Sequence, residues 1–192
     1  MSVLAASAMC RYRPVGSAPV RCGARDAATD RPPRVGGMGA EVVESGSRWR
    51  RSARITIDAP AAAIFDLLTD PRRHPDFDGS GTVLEPVSGP SRLTMGSRFG
   101  MSMHLKVPYR IGNEVVEFEQ DRRIAWCHFY KHRWRYELEP IDATTTVVTE
   151  TFDDSTALFP PGLYALNAYE NNQRAVVRTL DRLKALVESG AA

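Results

Sequence analysis

Six short runs of alternating apolar and polar residues between positions 82 and 152 restrict the fold more than any other feature of the chain. A period of two places every second side chain on the same face of a β-strand. Turn-forming residues such as Gly89-Pro90 and Gln120-Asp121-Arg122 separate the runs. Short connections of this kind join antiparallel neighbours, so the sequence predicts a meander. The predicted strands are 82–87, 97–105, 109–119, 123–131, 133–141 and 144–152.

One more strand and two helices flank the meander. Ile55 and Ile57 alternate with polar residues in a strand of about eight residues. A short helix is predicted over 60–68, with proline in its first turn. A long amphipathic helix is predicted over 163–188, because apolar residues recur there at spacings of three, four and seven. Asn171-Asn172-Gln173 interrupts the apolar stripe, which leaves open a kink or a new helix start near residue 171.

The order strand, short helix, six strands, long helix indicates the fold class. An antiparallel sheet of seven strands with its helices on one face is an α+β arrangement. The long helix must bury its apolar stripe, and the concave side of a twisted sheet is the surface available for this. A strongly curved sheet that wraps around a helix leaves a cavity between the two.

The first 40 residues differ in composition from the rest of the chain. They contain six arginines and two acidic residues, whereas residues 41–192 contain 19 basic and 21 acidic residues. This segment is rich in Ala, Arg, Gly and Pro, so we expect a disordered extension or a start codon assigned too early, with Met38 as the true start. Residues 41–192 form the predicted domain. Its slight negative charge argues against binding to nucleic acid.

Other features bear on compartment and cofactors. Three cysteines without a CxxC pair indicate a reducing, cytoplasmic setting. No apolar run approaches the roughly 18 residues of a membrane span. Arg11 and Arg13 follow the apolar start of the chain, whereas a secretory signal has its basic residues first. P-loop and dinucleotide-binding motifs are absent from the sequence, so no cofactor is expected. The oligomeric state stays open.

Four stretches of the domain resemble the SRPBCC or START-like superfamily. They are ITIDAP (55–60) with IFDLLTDP (64–71), RRIAW (122–126), WRYELEP (134–140) and TVVTETF (146–152), and TLDRL (179–183) is similar to the closing helix. The similarity spans about residues 48–188 and is greatest to the bacterial polyketide cyclase/dehydrase and lipid-transport branch. It implies a helix-grip fold, in which a seven-stranded curved sheet wraps around the C-terminal helix. The superfamily includes ligand carriers, cyclases, hydroxylase subunits and chaperone cofactors, so fold alone does not define function.

Strand parity identifies the side chains that are expected to face the cavity. The resulting wall is mostly methionine and aromatic, with His128, Tyr136 and Glu150 as its polar groups. Such a wall suits a planar or branched apolar ligand with one or two polar groups. The competing interpretation is ordinary core packing, which also uses these residue types. The predicted ligand-binding residues are Phe99, Met101, Met103, Trp126, His128, Trp134, Tyr136, Glu150, Leu166 and Tyr169.

Glu150 is the most informative of these residues. It lies between Val148 and Phe152 on an inward face, where a carboxylate is costly to bury without a partner. It is either a structural partner of His128 or an arginine, or an acid or base with a raised pKa. A cyclase or dehydratase needs a base beside a carbonyl and a donor for the enolate oxygen. His128, Glu150 and Tyr136 are therefore the candidate catalytic residues.

Two patterns suggest a metal, and we reject both. His128 and His132 are four residues apart, which on one strand is about 13 Å, too far to share an ion. Residues 76–81 match the first half of a calcium loop, but Val87 stands where the bidentate glutamate belongs. No metal site is predicted.

The function that fits these features best is binding, with or without transport, of a small hydrophobic molecule such as a lipid or polyketide-like aromatic. The first alternative is a polyketide cyclase or dehydratase that uses the same cavity. The second is a non-catalytic interaction or regulatory module, which predicts a collapsed cavity and an exposed apolar patch.

Overall fold

The sheet and the helices are seen in a computed structural model, which describes residues 39–128, 130–157 and 168–190. These residues belong to the unit Val35–Ala192. The described part contains one antiparallel sheet of eight strands in the order β1-β2-β8-β7-β6-β5-β4-β3. The strands are β1 (Glu41–Val43), β2 (Arg50–Ile57), β3 (Val83–Ser88), β4 (Arg98–Leu105), β5 (Val107–Glu119), β6 (Arg123–His128), β7 (Arg133–Pro140) and β8 (Thr146–Asp153).

This architecture confirms the α+β class, but the expected count of seven strands is wrong. The additional strand is β1, which pairs antiparallel with β2, Val42 opposite Ala53. It is three residues long, and three residues are too few to show an alternation with a period of two. Strand β2 then lies between β1 and β8, which places the first long strand of the sheet beside the last.

The helices lie close to their predicted positions. Helix α1 (Ala61–Thr69) begins after Pro60, and a 3₁₀ turn (Pro71–Arg73) connects it to the short helix α2 (His74–Phe77). Helix α3 (Ala168–Glu188) continues through residues 171–173 as one helix, so the described helix does not start at these residues. Residues 163–167 of the predicted long helix, Leu166 among them, lie outside the described residues.

The core lies between one face of the sheet and the helices. Val176, Leu180 and Leu183 on α3 are fully buried, as is Phe65 on α1. Helix α3 packs on β2 and β8, and α2 packs on α3. The packing of the long helix against one face of the antiparallel sheet is consistent with a helix-grip fold. Strands β4 to β7 face the N-terminal half of α3 across a cavity.

The loop after α2 is held tightly against α3. Gly79 donates its N–H to Thr179 Oγ1 at 2.9 Å, and its carbonyl accepts from Arg178 Nε at 2.7 Å. A Cβ atom at position 79 would lie 2.3 Å from the carbonyl oxygen of Ala175. Only glycine allows this approach, which fixes one edge of the cavity.

Candidate functional site

A cavity of about 610 Å³ lies between the sheet and α3. Strands β4 to β8, α2 and the residues around position 175 of α3 contribute to its wall. Eight of the ten predicted ligand-binding residues line it, and their parity on the strands brings them together. They are Phe99, Met101, Met103, Trp126, His128, Trp134, Tyr136 and Glu150.

The other two predicted residues are placed differently. Leu166 lies outside the described residues. Tyr169 is buried but does not line the cavity: its hydroxyl donates to Asp154 Oδ2, and its ring contacts Phe152 and Trp49. Its position near the start of α3 directs it to the sheet beside the β2–β8 pair, where it stabilises packing.

Tyr136 and Glu150 form the polar centre of the wall. They lie directly opposite each other on β7 and β8, and Tyr136 Oη donates to Glu150 Oε1 at 2.9 Å. Glu150 is 1% exposed and Tyr136 is 3% exposed. The expectation that Glu150 pairs with His128 or an arginine is therefore wrong, because the residue opposite it in the register is a tyrosine.

Burial controls the charge state of this pair. Removal from water raises the pKa of the Glu150 carboxyl well above its usual range, and the negative charge of Asp78 raises it further, although the Tyr136 hydrogen bond acts in the opposite direction. Burial likewise raises the pKa of the Tyr136 hydroxyl. Glu150 Oε2 is buried and has no hydrogen-bond partner among the described residues. Burial and the negative charge of Asp78 both favour the protonated, uncharged form of the carboxyl group over the carboxylate.

His128 and His132 meet at the end of β6. Their Nε2 atoms are 2.6 Å apart, and the two rings are nearly perpendicular. The premise that four residues hold them about 13 Å apart on one strand is wrong, since β6 ends at His128 and the chain reverses through Lys131, whose φ is 69°. Within the described residues, no third His, Cys, Asp or Glu joins them to form a metal-binding group.

Both imidazoles are neutral at pH 7. Burial lowers the pKa of His128 to about 4, and burial together with the nearby His128 lowers the pKa of His132 to about 3. The backbone N–H of Tyr130 donates to His128 Nδ1 at 3.3 Å, so the proton of neutral His128 is on Nε2. That proton is donated to His132 Nε2, which leaves the proton of His132 on Nδ1.

Two further histidines, His74 and His132, line the cavity without being among the predicted site residues. His74 is 6% exposed, and its ring stacks on Trp126 at 5.0 Å with an angle of 17° between the planes. Its Nε2 lies 3.0 Å from the carbonyl oxygen of Leu68. The His-x3-His spacing could have identified His132, provided that a turn rather than a strand was assumed between the two residues.

The mouth of the cavity is partly apolar and exposed. Leu105 is 61% exposed and Tyr109 is 39% exposed, and both also line the cavity. They flank a tight reversal at Lys106, whose φ is 63°, between β4 and β5. Asp78 also lines the cavity, and its side chain accepts hydrogen bonds from the backbone N–H groups of Thr82 and Val83.

An α+β domain with an aromatic cavity under its C-terminal helix defines a class of small-molecule-binding folds. Residues 48–188 match the model of the family described as polyketide cyclase / dehydrase and lipid transport. The chain belongs to this family, which is part of the SRPBCC superfamily. The resemblance in the sequence motifs is thereby confirmed.

Curated relatives match part of the chain. The chain is 43% identical over 117 residues to the uncharacterized protein Rv0088 of Mycobacterium tuberculosis, a match that covers 60% of this chain and 52% of that protein. The chain thus spans about half the length of the curated relatives it matches.

Two solved structures share the fold. A protein from Rhodobacter sphaeroides has a TM-score of 0.60 at 14% identity, over 78% of this chain and 98% of that one. Protein Ms6760 from Mycobacterium smegmatis has a TM-score of 0.58 at 14% identity, with the same coverage. At such identities the similarity concerns the fold alone.

Among the described residues, no helix combines the length and the apolar character that crossing a membrane requires.

Proposed function

We propose that this protein binds, and carries, a small hydrophobic molecule in the cavity between the sheet and α3. The observation that carries the proposal is the composition of the cavity wall, in which five aromatic and two methionine side chains accompany the hydrogen-bonded Tyr136–Glu150 pair. The volume of about 610 Å³ falls within the range of about 300–1,000 Å³ typical of ligand sites. Apolar ligand surface would leave water on entering it, which is the main driving force for binding.

The cavity also bears on the alternative of a non-catalytic interaction module. That alternative predicts a collapsed interior, whereas Trp126 and Trp134 here stand beside open space. The open volume supports a ligand-binding role over a purely structural one.

Direct binding tests the proposal. N-phenyl-1-naphthylamine, an uncharged fluorescent aromatic, should become more fluorescent with the protein and should raise its melting temperature, since a ligand that binds only the folded state stabilises it. Native mass spectrometry of protein purified from its natural source, followed by organic extraction, should identify the bound compound. Protein that is empty and does not bind the probe would refute the proposal.

A matched pair of variants tests the location. Ala175 lines the cavity on α3 and is 4% exposed, so Ala175→Phe should fill the cavity and weaken probe binding at least about tenfold. Ala185 is exposed on the same helix, and Ala185→Phe should bind normally. Equal binding by both variants, each shown to be folded by circular dichroism, would place the probe elsewhere.

A cyclase or dehydratase is the second candidate, and one observation favours it. Glu150 is a neutral acid in contact with a phenol, and such a pair can donate to an oxygen on which negative charge develops. His128 belongs to a different hydrogen-bonded pair, so the three candidate catalytic residues do not form one cluster. An aryl triketone incubated with the protein should lose water and form a new ring, and Ala175→Phe should abolish this. A rate equal to that without protein would refute catalysis on this substrate.

A further inference from the structure

The chemistry of two buried atoms indicates which ligands the cavity recognises. Glu150 Oε2 and His132 Nδ1 both belong to residues of the cavity wall, and both are buried without a hydrogen-bond partner in the part of the chain that the structure describes. Unpaired buried polar atoms are rare and costly, about 1–3 kcal/mol each, so a native structure that keeps two in one cavity indicates a missing partner. The inference rests on the proposed ligand-binding function and specifies it.

The unpartnered Oε2 atom of Glu150 is available to donate a hydrogen bond to a ligand. Tyr136 already donates to Oε1, and none of the described ion pairs involves Glu150. A carboxyl group in this environment keeps its proton, and with Oε1 accepting, the acid proton lies on Oε2. A small turn about the last side-chain bond, which has a broad torsional well, would present this O–H to a ligand.

The cationic groups around the cavity form no ion pair with Glu150 among the described residues. Arg174 and Arg178 are exposed on α3, and Arg178 donates to the carbonyl of Gly79 rather than to Glu150. The groups that line the cavity with Glu150 are His74, Asp78, Tyr109, His128, His132, Tyr136, Arg174 and Arg178.

The unpartnered Nδ1 atom of His132 is also available as a hydrogen-bond donor. The chain of hydrogen bonds runs from the Tyr130 N–H to His128 Nδ1, and from His128 Nε2 to His132 Nε2. It fixes the remaining proton of His132 on Nδ1. His132 is 8% exposed, and its ring packs on Phe152 at 5.1 Å and on Trp134 at 6.4 Å.

The two donors lie at separate points of one aromatic wall. Tyr136, the partner of Glu150, is four residues along the extended chain from His132, a distance of roughly 13 Å. Trp134 and Phe152, which face each other across β7 and β8, lie between them. A rigid apolar molecule in contact with this aromatic surface could reach both donors with its ends.

We propose that the cavity selects an uncharged, mainly apolar molecule with hydrogen-bond acceptors, such as carbonyl oxygens, near opposite ends, one accepting from Glu150 and the other from His132. A ligand whose polar ends are primary amines, which are protonated at neutral pH, would present only N–H donors to these two donors and would be rejected.

Calorimetric titration with a biphenyl series tests this assignment. The series is biphenyl, 4-acetylbiphenyl, 4,4′-diacetylbiphenyl and 4,4′-bis(aminomethyl)biphenyl, which differ in the number and type of polar ends. We expect the diacetyl compound to bind about tenfold more tightly than the diamine. Glu150→Gln should bind it within about threefold of the wild type, because the glutamine oxygen accepts from Tyr136 while its amide donates in place of the acid.

Two further variants separate the donors from the apolar surface. Glu150→Met removes one donor and His132→Phe the other, and each should weaken diacetylbiphenyl about tenfold while changing biphenyl less than about twofold. Infrared spectroscopy should show a carboxylic-acid C=O band that Glu150→Gln removes and the diacetyl compound shifts.

The outcomes distinguish an error in the acceptor assignment from an error in the proposed ligand-binding function. Equal binding of all four compounds, or tighter binding of the diamine that Glu150→Gln abolishes, would overturn the acceptor assignment and leave ligand binding intact. If no biphenyl compound binds while N-phenyl-1-naphthylamine still does, the acceptor assignment is likewise overturned and ligand binding stands. Failure of every compound, that probe included, would overturn the proposed function itself.

Discussion

Glu150 sits where a charge is most costly, and the stability of the protein should therefore depend on pH through this residue. The pKa of the folded carboxyl is raised well above that of an unfolded glutamate, about 4.3. The folded state thus holds a proton that the unfolded state loses as the pH rises. The contribution of Glu150 is fully present below pH 4.3 and is lost as the pH increases toward the folded pKa.

The variant Glu150→Gln isolates this effect. Relative to the variant, the free energy of unfolding of the wild type should fall with pH from about 5 upward, by at most about 1.4 kcal/mol per pH unit. Urea denaturation at a series of pH values measures it. Glu139→Gln, at an exposed position of β7, should leave the pH dependence of the wild type unchanged. If the difference in the free energy of unfolding between the wild type and Glu150→Gln is the same at every pH, Glu150 is not a buried acid with a raised pKa.

The paired histidines predict a loss of stability on the acid side. Folding lowers the pKa values of His128 and His132 to about 4 and about 3, whereas an unfolded histidine titrates near 6.5. The unfolded state therefore binds more protons as the pH falls below about 6.5, and the histidine contribution declines from there toward pH 4. His132→Phe keeps the aromatic contacts, so its free energy of unfolding, measured by urea denaturation, should decline less over this pH range than that of the wild type. His104→Gln, on an exposed part of β4, should decline as the wild type does.

How far the sequence reveals this site depends on what each signal measures. Parity within a strand identified the wall, because alternation depends only on neighbouring residues. The partner of Glu150 was not predictable in the same way, since Tyr136 meets it through the register between β7 and β8. The histidine pair was missed because the reversal falls at Lys131, a residue with no preference for the left-handed conformation it adopts.

At the scale of elements, the contact between the α2–β3 loop and α3 depends on one glycine. A Cβ atom at Gly79 would overlap the backbone of both Ala175 and Thr179 at 2.3 Å, so Gly79→Ala must push the loop from the helix. We expect a loss of about 1–3 kcal/mol in the free energy of unfolding. Gly112→Ala on β5, where the added carbon meets nothing within 4 Å, is the control. Equal stability of the two variants would show that the loop is not held in this position.

The elements themselves were largely predictable, and the exceptions have physical causes. Helix α1 and the seven longer strands follow from alternation and from helical spacing. Strand β1 has three residues and depends on pairing with β2, which no local pattern reveals. The polar residues 171–173 do not interrupt α3, because the buried Tyr169, Val176 and Leu180 hold the helix on the sheet on both sides of them.

At the scale of the whole molecule, we propose that the domain is sufficient without the first 38 residues. The family match begins at residue 48, after this segment. A chain shortened to begin at residue 39 should keep the melting temperature of the full chain within about 2 °C. It should also bind N-phenyl-1-naphthylamine with the same affinity. A large loss of either property would place residues 1–38 within the functional domain.

The pairing of β2 with β8 has a consequence for synthesis on the ribosome. The Arg50–Asp153 ion pair joins strands whose residues are 103 positions apart, and α3 follows only after β8. At about 5–20 residues per second, β2 waits on the order of 5–20 s for its partner to be translated. During that interval its apolar residues, Ile55 and Ile57 among them, are available to chaperones and to aggregation. The nascent chain can complete its sheet only after Asp153, the last residue of β8, has been translated.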